Sequence, residues 1–207
     1  MIEMLNEDCM EVMARYPDKW FDLACVDPPY GHNITGGHNN ENGWKNHLYW
    51  KKATHGWNQK PTDMYFQALF RVSKNQIIWG GNYFNLLPSE GWIVWDKGQR
   101  NFSLADGELA WTSFDKALRI FNYSRSLSNF KDNRIHPTQK PVALYKWLLH
   151  NYATPDMKIL DTHGGSGSSA IACHYFGADM VWTELDKEYY DAAVARFTEQ
   201  TRQVQLL

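Results

Sequence analysis

Cysteine is scarce in this chain. Cys9, Cys25 and Cys173 are the only three in 207 residues, and they are far apart. No pair has metal-ligand spacing, and an odd number does not suit a secreted disulfide frame, so a reducing compartment is expected. Long apolar runs are missing too: none reaches ~18 residues, which argues against a membrane span. The opening stretch, Met1-Ile2-Glu3-Met4-Leu5-Asn6-Glu7-Asp8, is acidic and lacks the basic region of an export signal. A strong charge of either sign is absent, since the formal net charge is −2, and that balance does not announce a nucleic-acid binder. There are no internal repeats. What is present is a 43% share of hydrophobic residues, enough for the core of one domain.

The charges are unevenly placed along the chain. Acid gathers near the start and the end, while the middle carries Lys45, Lys51, Lys52 and Lys60, then Lys97, Arg100, Lys116, Arg119, Arg125, Lys131, Arg134 and Lys140. A basic middle on an acidic frame can present one side to DNA, or it can scatter over the surface. Segment 31–60 mixes Trp44, Tyr49, Trp50 and Trp57 with lysines, a combination that strand-gripping surfaces use but that a core could also absorb. Its histidines, His32, His38, His47 and His55, match no zinc spacing, and no metal is expected.

Hydrophobic runs predict strands at Ile2–Leu5, Phe21–Val26, Gln76–Trp79, Trp92–Asp96, Glu108–Phe114, Lys158–Leu160 and Met180–Glu184. Helices are predicted at Cys9–Tyr16, Asp63–Val72, Pro141–Tyr152, Ala170–Phe176 and from about Lys187 to Gln203.

The motif Asp27-Pro28-Pro29-Tyr30 follows the second of these strands directly. Ligands of open α/β sheets bind at the carboxyl ends of strands. Two prolines fix the chain and leave carbonyls without neighbouring donors, and Asp27 adds a carboxylate. Such a cluster of acceptors beside an aromatic ring suits an exocyclic amine on a flat base. An ordinary strand-ending turn would also use Asp-Pro.

A second motif, Asp161-Thr162-His163-Gly164-Gly165-Ser166-Gly167, links a predicted strand to a predicted helix. Glycines admit a ligand close to the backbone, and the helix start offers free N–H groups. Glu184 follows about twenty residues later at the end of the next strand, the spacing at which an acid meets a ribose diol. Turn and acid alone fit a dehydrogenase as well as a methyltransferase.

Asp27-Pro28-Pro29-Tyr30, His136-Pro137-Thr138-Gln139-Lys140-Pro141, the glycine turn and Glu184 occur here in that order. With Asn6-Glu7-Asp8-Cys9, Trp79-Gly80-Gly81-Asn82 and Glu108-Leu109-Ala110-Trp111, nearly the whole chain resembles the S-adenosylmethionine-dependent DNA amino-methyltransferases of the circularly permuted β group. In that group the catalytic motif precedes the cofactor motif. The compact layout is similar to small phage-borne members.

The resemblance implies a Rossmann-like class I methyltransferase fold, an α/β mixed seven-stranded sheet with helices on both faces and strand 2–5 beside strand 180–184. It implies one domain over 1–207, with DNA-contacting insertions at about 31–60 and 100–134. Asp27, Pro28, Pro29 and Tyr30 become the catalytic residues. The cofactor residues become Asp8, Cys9, Asp27, Thr138, Gln139, Lys140, Asp161, His163, Gly164, Gly165, Ser166, Gly167, Glu184 and Leu185. Asp8 could instead be a helix N-cap, and Lys140 a solvated residue ahead of a helix. Thr162 and His163 replace the family's Pro and Phe, and Trp182 and Thr183 replace its Gly and Ile. The implied partner is DNA, with a homodimer left open and no membrane, in the cytoplasm of a bacterial or phage-infected cell. In the family an Asp at position 27 leans toward adenine N6, with cytosine N4 as the alternative. A Rossmann-type oxidoreductase and a non-catalytic nucleic-acid-binding module are more distant readings.

Overall fold

The computed structural model describes residues 1–31, 59–101, 105–124, 135–136 and 138–202. The elements in chain order are β1 (Ile2–Leu5), α1 (Cys9–Ala14), β2 (Phe21–Val26), α2 (Asp63–Val72), β3 (Ser73–Trp79), a short 3-10 turn (Gly81–Tyr83), β4 (Trp92–Asp96), β5 (Gly107–Thr112), β6 (Arg119–Asn122), α3 (Val142–Tyr152), β7 (Lys158–Asp161), α4 (Ser168–Phe176), β8 (Asp179–Thr183) and α5 (Lys187–Arg202).

One sheet holds eight strands in the order β1-β8-β7-β2-β3-β5-β4-β6. All neighbours from β1 to β3 are parallel. β5 alone runs against the rest, antiparallel to both β3 and β4, and β6 is parallel to β4. The expected seven strands become eight because Arg119–Asn122 adds an edge, inside the region expected to be an insertion. Its side chains are mostly exposed, so no alternation marks it; backbone pairing to β4 makes it a strand. The predicted neighbour of strand 2–5 is correct, with Ile2 opposite Met180 and Leu5 opposite Thr183.

Strand side chains divide between two faces. Leu23, Cys25, Ile77, Trp79 and Ile159 pack with Leu144 and Leu148 of α3, Ile171 and Cys173 of α4 and Ala193 of α5. Ala24, Val26, Ile78 and Leu160 pack with Met13 of α1 and Leu69 and Val72 of α2. A strand covered on both faces has no polar side, which is why β2 and β7 read as continuous apolar runs. Helix α1 ends earlier than predicted because Arg15 and Tyr16 bond three residues back, to Val12 and Met13, in a tighter turn ahead of Pro17.

Candidate active site

The strand order reverses between β7 and β2, the third and fourth strands of the sheet. From β7 the chain winds outward through α4 to β8, whereas β2 leads toward β3. The crevice at such a switch point is where open α/β sheets bind ligands. Leu23 is opposite Ile159 and Ala24 opposite Leu160, so Asp27 and Asp161 emerge from adjacent strand ends. Two motifs distant in sequence meet here.

The glycine turn is shaped for different reasons at each glycine. Gly165 and Gly167 have φ of +53° and +73°, a region that side-chain-bearing residues disfavour. Gly164 gives space: a Cβ there would be 1.7 Å from the Trp182 ring. Gly164 thus leaves room for the Trp182 ring. Gly167 opens α4, and Gly177 closes it with φ +89° and its N–H on Cys173, a left-handed C-terminal cap. Arg196 of α5 reaches under the turn, donating from Nη1 to the Ser166 carbonyl at 2.8 Å and the Ser168 hydroxyl at 2.9 Å. Ser166 and Ser168 also share a hydroxyl contact of 3.1 Å.

Asp161 is buried. Its Oδ2 accepts from the Ser169 hydroxyl at 2.5 Å and its Oδ1 from the His163 N–H at 3.1 Å. Burial pushes its carboxyl up to about 7 against those bonds. His163 is lowered to about 4 by burial; its Nδ1 is 2.9 Å from the Thr162 hydroxyl, which is 2.6 Å from the Tyr65 phenol. The Tyr65 and His163 rings meet edge to face at 5.3 Å, so His163 packs as an aromatic ring while joining a polar chain.

Glu184 follows β8. Its Oε2 accepts from Gly165 N–H and its Oε1 from Asp186 N–H, both at 2.9 Å, and burial raises its carboxyl. Asn6 braces this loop from β1, donating to the carbonyls of Glu184 at 2.8 Å and Leu185 at 3.0 Å. Leu185 itself is exposed. Asp8 is the N-cap of α1, accepting from Met10 N–H at 2.7 Å, so the capping alternative holds for one oxygen. Cys9 follows it, its thiol pushed up to about 12 by burial.

At the catalytic motif, the Tyr30 ring lies on the backbone of Gly80, where a Cβ would be 2.1 Å from it, and stacks on Tyr83 at 5.1 Å. The Tyr30 hydroxyl donates to Asp27 Oδ1 at 2.7 Å. Lys140, the end of the His136–Lys140 motif, is buried, which corrects the alternative of a solvated lysine. Its Nζ is 2.5 Å from Asp27 Oδ2 and 3.1 Å from Glu108 Oε2. The same motif passes over the glycine turn, with the His136 ring 3.7 Å from the Cβ position of Gly165. Thr138 bonds back to His136 and Gln139 accepts from Ile135 N–H.

Sequence reasoning passed over Glu108, Lys97, Ser169 and Arg196 as site residues. The signal available was an acid, Glu108, inside an otherwise apolar strand. Residues 32–58, most of the first expected DNA-contacting insertion, lie outside the described residues, as do 102–104 and 125–134 of the second. Among the described residues no helix is long and apolar enough to cross a membrane, and no group of three His, Cys, Asp or Glu side chains could hold a metal.

The sequence profile of a family described as DNA methylase, covering N6 and N4 methyltransferases, matches residues 58–195. The protein YubD of Escherichia coli (strain K12) is 26% identical over 99% of this chain and 94% of its own length. Solved structures share the fold, among them the two that follow. The M1.HpyAVI–SAM complex has a TM-score of 0.63 at 19% identity, covering 95% of this chain and all of that one. The cytosine-N4-specific PvuII DNA methyltransferase has a TM-score of 0.60 at 14% identity, covering 97% of this chain and 90% of that one.

Proposed function

The chain belongs to the N6/N4 DNA methylase family, and from that premise we propose that it transfers a methyl group from S-adenosylmethionine to the exocyclic N6 amine of adenine in DNA. The observation that carries this reading is the convergence of Asp27 and the 161–167 turn on adjacent strand ends. The family takes the place of the dehydrogenase alternative.

The residues present fit the cofactor. Glu184 offers a carboxylate for the two ribose hydroxyls, held in place by Gly165 and Asp186. The buried Asp161 carboxyl, costly to ionise alone, gains from an ammonium beside it. Leu185, Asp8 and Cys9 would border the adenine end of the cofactor, and Thr138, Gln139 and Lys140 its methionine end, with His163 behind. When bound, the cofactor supplies a methyl on a sulfonium, which is already activated for attack.

The chain's own work is to orient the amine. Adenine's exocyclic nitrogen is a poor nucleophile because its lone pair is spread into the ring. Asp27 and the Pro28 carbonyl accept its two hydrogens and favour a more pyramidal nitrogen. Pro29 keeps the chain's path rigid, and Tyr30 stacks on the base. A base inside a duplex cannot reach these groups, so it is flipped out. Alignment of the amine with the methyl supplies much of the rate. Asp27 need not be a strong base, since the proton can leave after transfer. Segment 31–60 and the parts of 100–134 outside β5 and β6 are assigned to DNA contact.

Cytosine N4 is the second reading, favoured by the likeness to the PvuII enzyme; Asp rather than Ser at position 27 leans to adenine. Base-resolution methylation mapping of DNA from cells expressing the chain separates the two. N6-methyladenine within one sequence word is expected, absent with Asp27→Ala, while that variant still binds S-adenosylhomocysteine. N4-methylcytosine would transfer the assignment to the second reading. Unmodified DNA from cells with folded wild-type protein would remove the activity.

A further inference from the structure

Both oxygens of Asp27 are already engaged. Oδ1 accepts from the Tyr30 hydroxyl at 2.7 Å, and Oδ2 meets the Lys140 ammonium at 2.5 Å. Each oxygen keeps a further lone pair, but a carboxylate neutralised by a close ammonium is a weaker acceptor, so Asp27 grips a target amine best when that ammonium shifts away. Tyr30 is fixed by its packing on Gly80 and Tyr83. Lys140 has a second anion within reach, Glu108 Oε2 at 3.1 Å. Glu108 is anchored in turn, its Oε1 held by Lys97 Nζ at 2.7 Å. Asp27, Lys140, Glu108 and Lys97 thus form an alternating line of two anions and two cations, from the end of β2 to the β4–β5 pair.

We infer that Glu108 is a positioning residue for methyl transfer, the carboxylate onto which the Lys140 ammonium withdraws when the target amine takes its place on Asp27. The inference rests on the catalytic reading of Asp27 above. Its physical basis is that an ammonium buried this deeply cannot be left without a counter-charge. Glu108 lets Lys140 release Asp27 without becoming unpaired, and Lys97 stops Glu108 from following it. The Trp79 ring lies 5.1 Å from Nζ, a second, non-competing support for the cation.

The groups that face this lysine are Asp27 and Glu108, the Tyr30 hydroxyl at 3.4 Å, and the phenol of Tyr145 on α3 and the thiol of Cys25 on β2, both within electrostatic reach of the same charges. Burial works against its proton, but Asp27 and Glu108 together more than restore it. Burial likewise opposes the charge on Glu108, which Lys140 and Lys97 nevertheless hold at about 2.

The test is Glu108→Gln, which keeps the shape and removes the receiving charge. Methyl transfer to unmethylated DNA near neutral pH should fall about tenfold, the scale of one charge-assisted hydrogen bond, mainly in kcat. Lys140 then has one carboxylate instead of two and loses its proton at lower pH than in wild type. The variant's rate should therefore recover as pH rises, over a range where wild type gains nothing. In a Lys140→Met background, Glu108→Gln should cost nothing more, since no ammonium remains to be received. A loss equal at every pH, or of the same factor in both backgrounds, overturns the inference and leaves Glu108 a structural role. If Glu108→Gln does not fold, Lys97→Met should give a smaller loss with the same alkaline recovery, and an unchanged pH profile there also overturns it. Wild-type protein that transfers no methyl to any DNA would fail earlier, at the functional reading itself.

Discussion

At Glu184 each carboxylate oxygen accepts a backbone amide, from Gly165 on one side and Asp186 on the other. Two fixed donors orient the group while each oxygen keeps a further lone pair for a ligand hydroxyl. Glu184→Ala is expected to remove a charge-assisted acceptor worth ~1.5–3 kcal/mol. Calorimetry should then show S-adenosylhomocysteine binding weakened by about 10- to 100-fold, with base choice unaltered. Asp161 makes a different prediction. Its folded carboxyl lies at about 7 against an ordinary value of 3.8. The folded state therefore holds a proton that the unfolded chain has lost, and this group withdraws stability as pH rises between those values. His163, lowered to about 4 from 6.5, has the opposite sign: what it contributes is present above 6.5 and lost as pH falls toward 4. An ammonium bound beside Asp161 favours its ionised form. Affinity for S-adenosylhomocysteine should rise with pH up to about 7 and level off beyond, with proton release detectable in buffers of different ionisation enthalpy. Asp161→Asn should flatten that dependence.

The glycine turn depends on an element from elsewhere in the chain. Helix α5 places Arg196 beneath it, buried, with one nitrogen shared between the Ser166 carbonyl and the Ser168 hydroxyl. Arg196→Met would leave that carbonyl buried without this donor, a cost of about 1–3 kcal/mol. Denaturant unfolding should show a lower midpoint at similar slope, and cofactor affinity should fall with it if the turn lines the cofactor site as proposed. An unchanged midpoint would mean that the turn holds its shape without α5. Element boundaries were legible where side chains alternate or cluster, as at β2, α2 and β4, which have the predicted bounds. β6 was not legible: an edge strand of Arg, Ile, Phe and Asn with exposed side chains carries no pattern, and its identity lies in backbone bonds to β4.

The whole molecule carries a formal charge of −2, so attraction to DNA must come from local clusters of cations. Lysine contacts to phosphates release counterions, and DNA binding should weaken as salt rises. Replacing Lys51 and Lys52 with Ala should lower affinity and flatten the salt slope by about one to two units, if both touch phosphate. Fluorescence anisotropy over a salt series measures both, with S-adenosylhomocysteine affinity as the unaffected control. An identical slope would remove these two lysines from the DNA-facing side.

Local chemistry was enough to single out Asp27-Pro28-Pro29-Tyr30, the Asp161 turn and Glu184, because prolines, glycines and strand-end acids mark backbone that must take an unusual path. The buried strands were visible for the same local reason, their apolar side chains being needed on both faces. Which residues stand beside these motifs depended on the sheet order. Pairing of β2 with β7 brings Asp27 next to Asp161. The antiparallel entry of β5 beside β3 carries Glu108 to Lys140, and the packing of α5 carries Arg196 to the glycine turn. Those contacts join residues separated by long stretches of chain, and no local pattern encodes them. Lys140 illustrates the difference: the resemblance puts it at the cofactor, with a solvated residue as the alternative, yet two carboxylates from distant strands hold it charged in the interior.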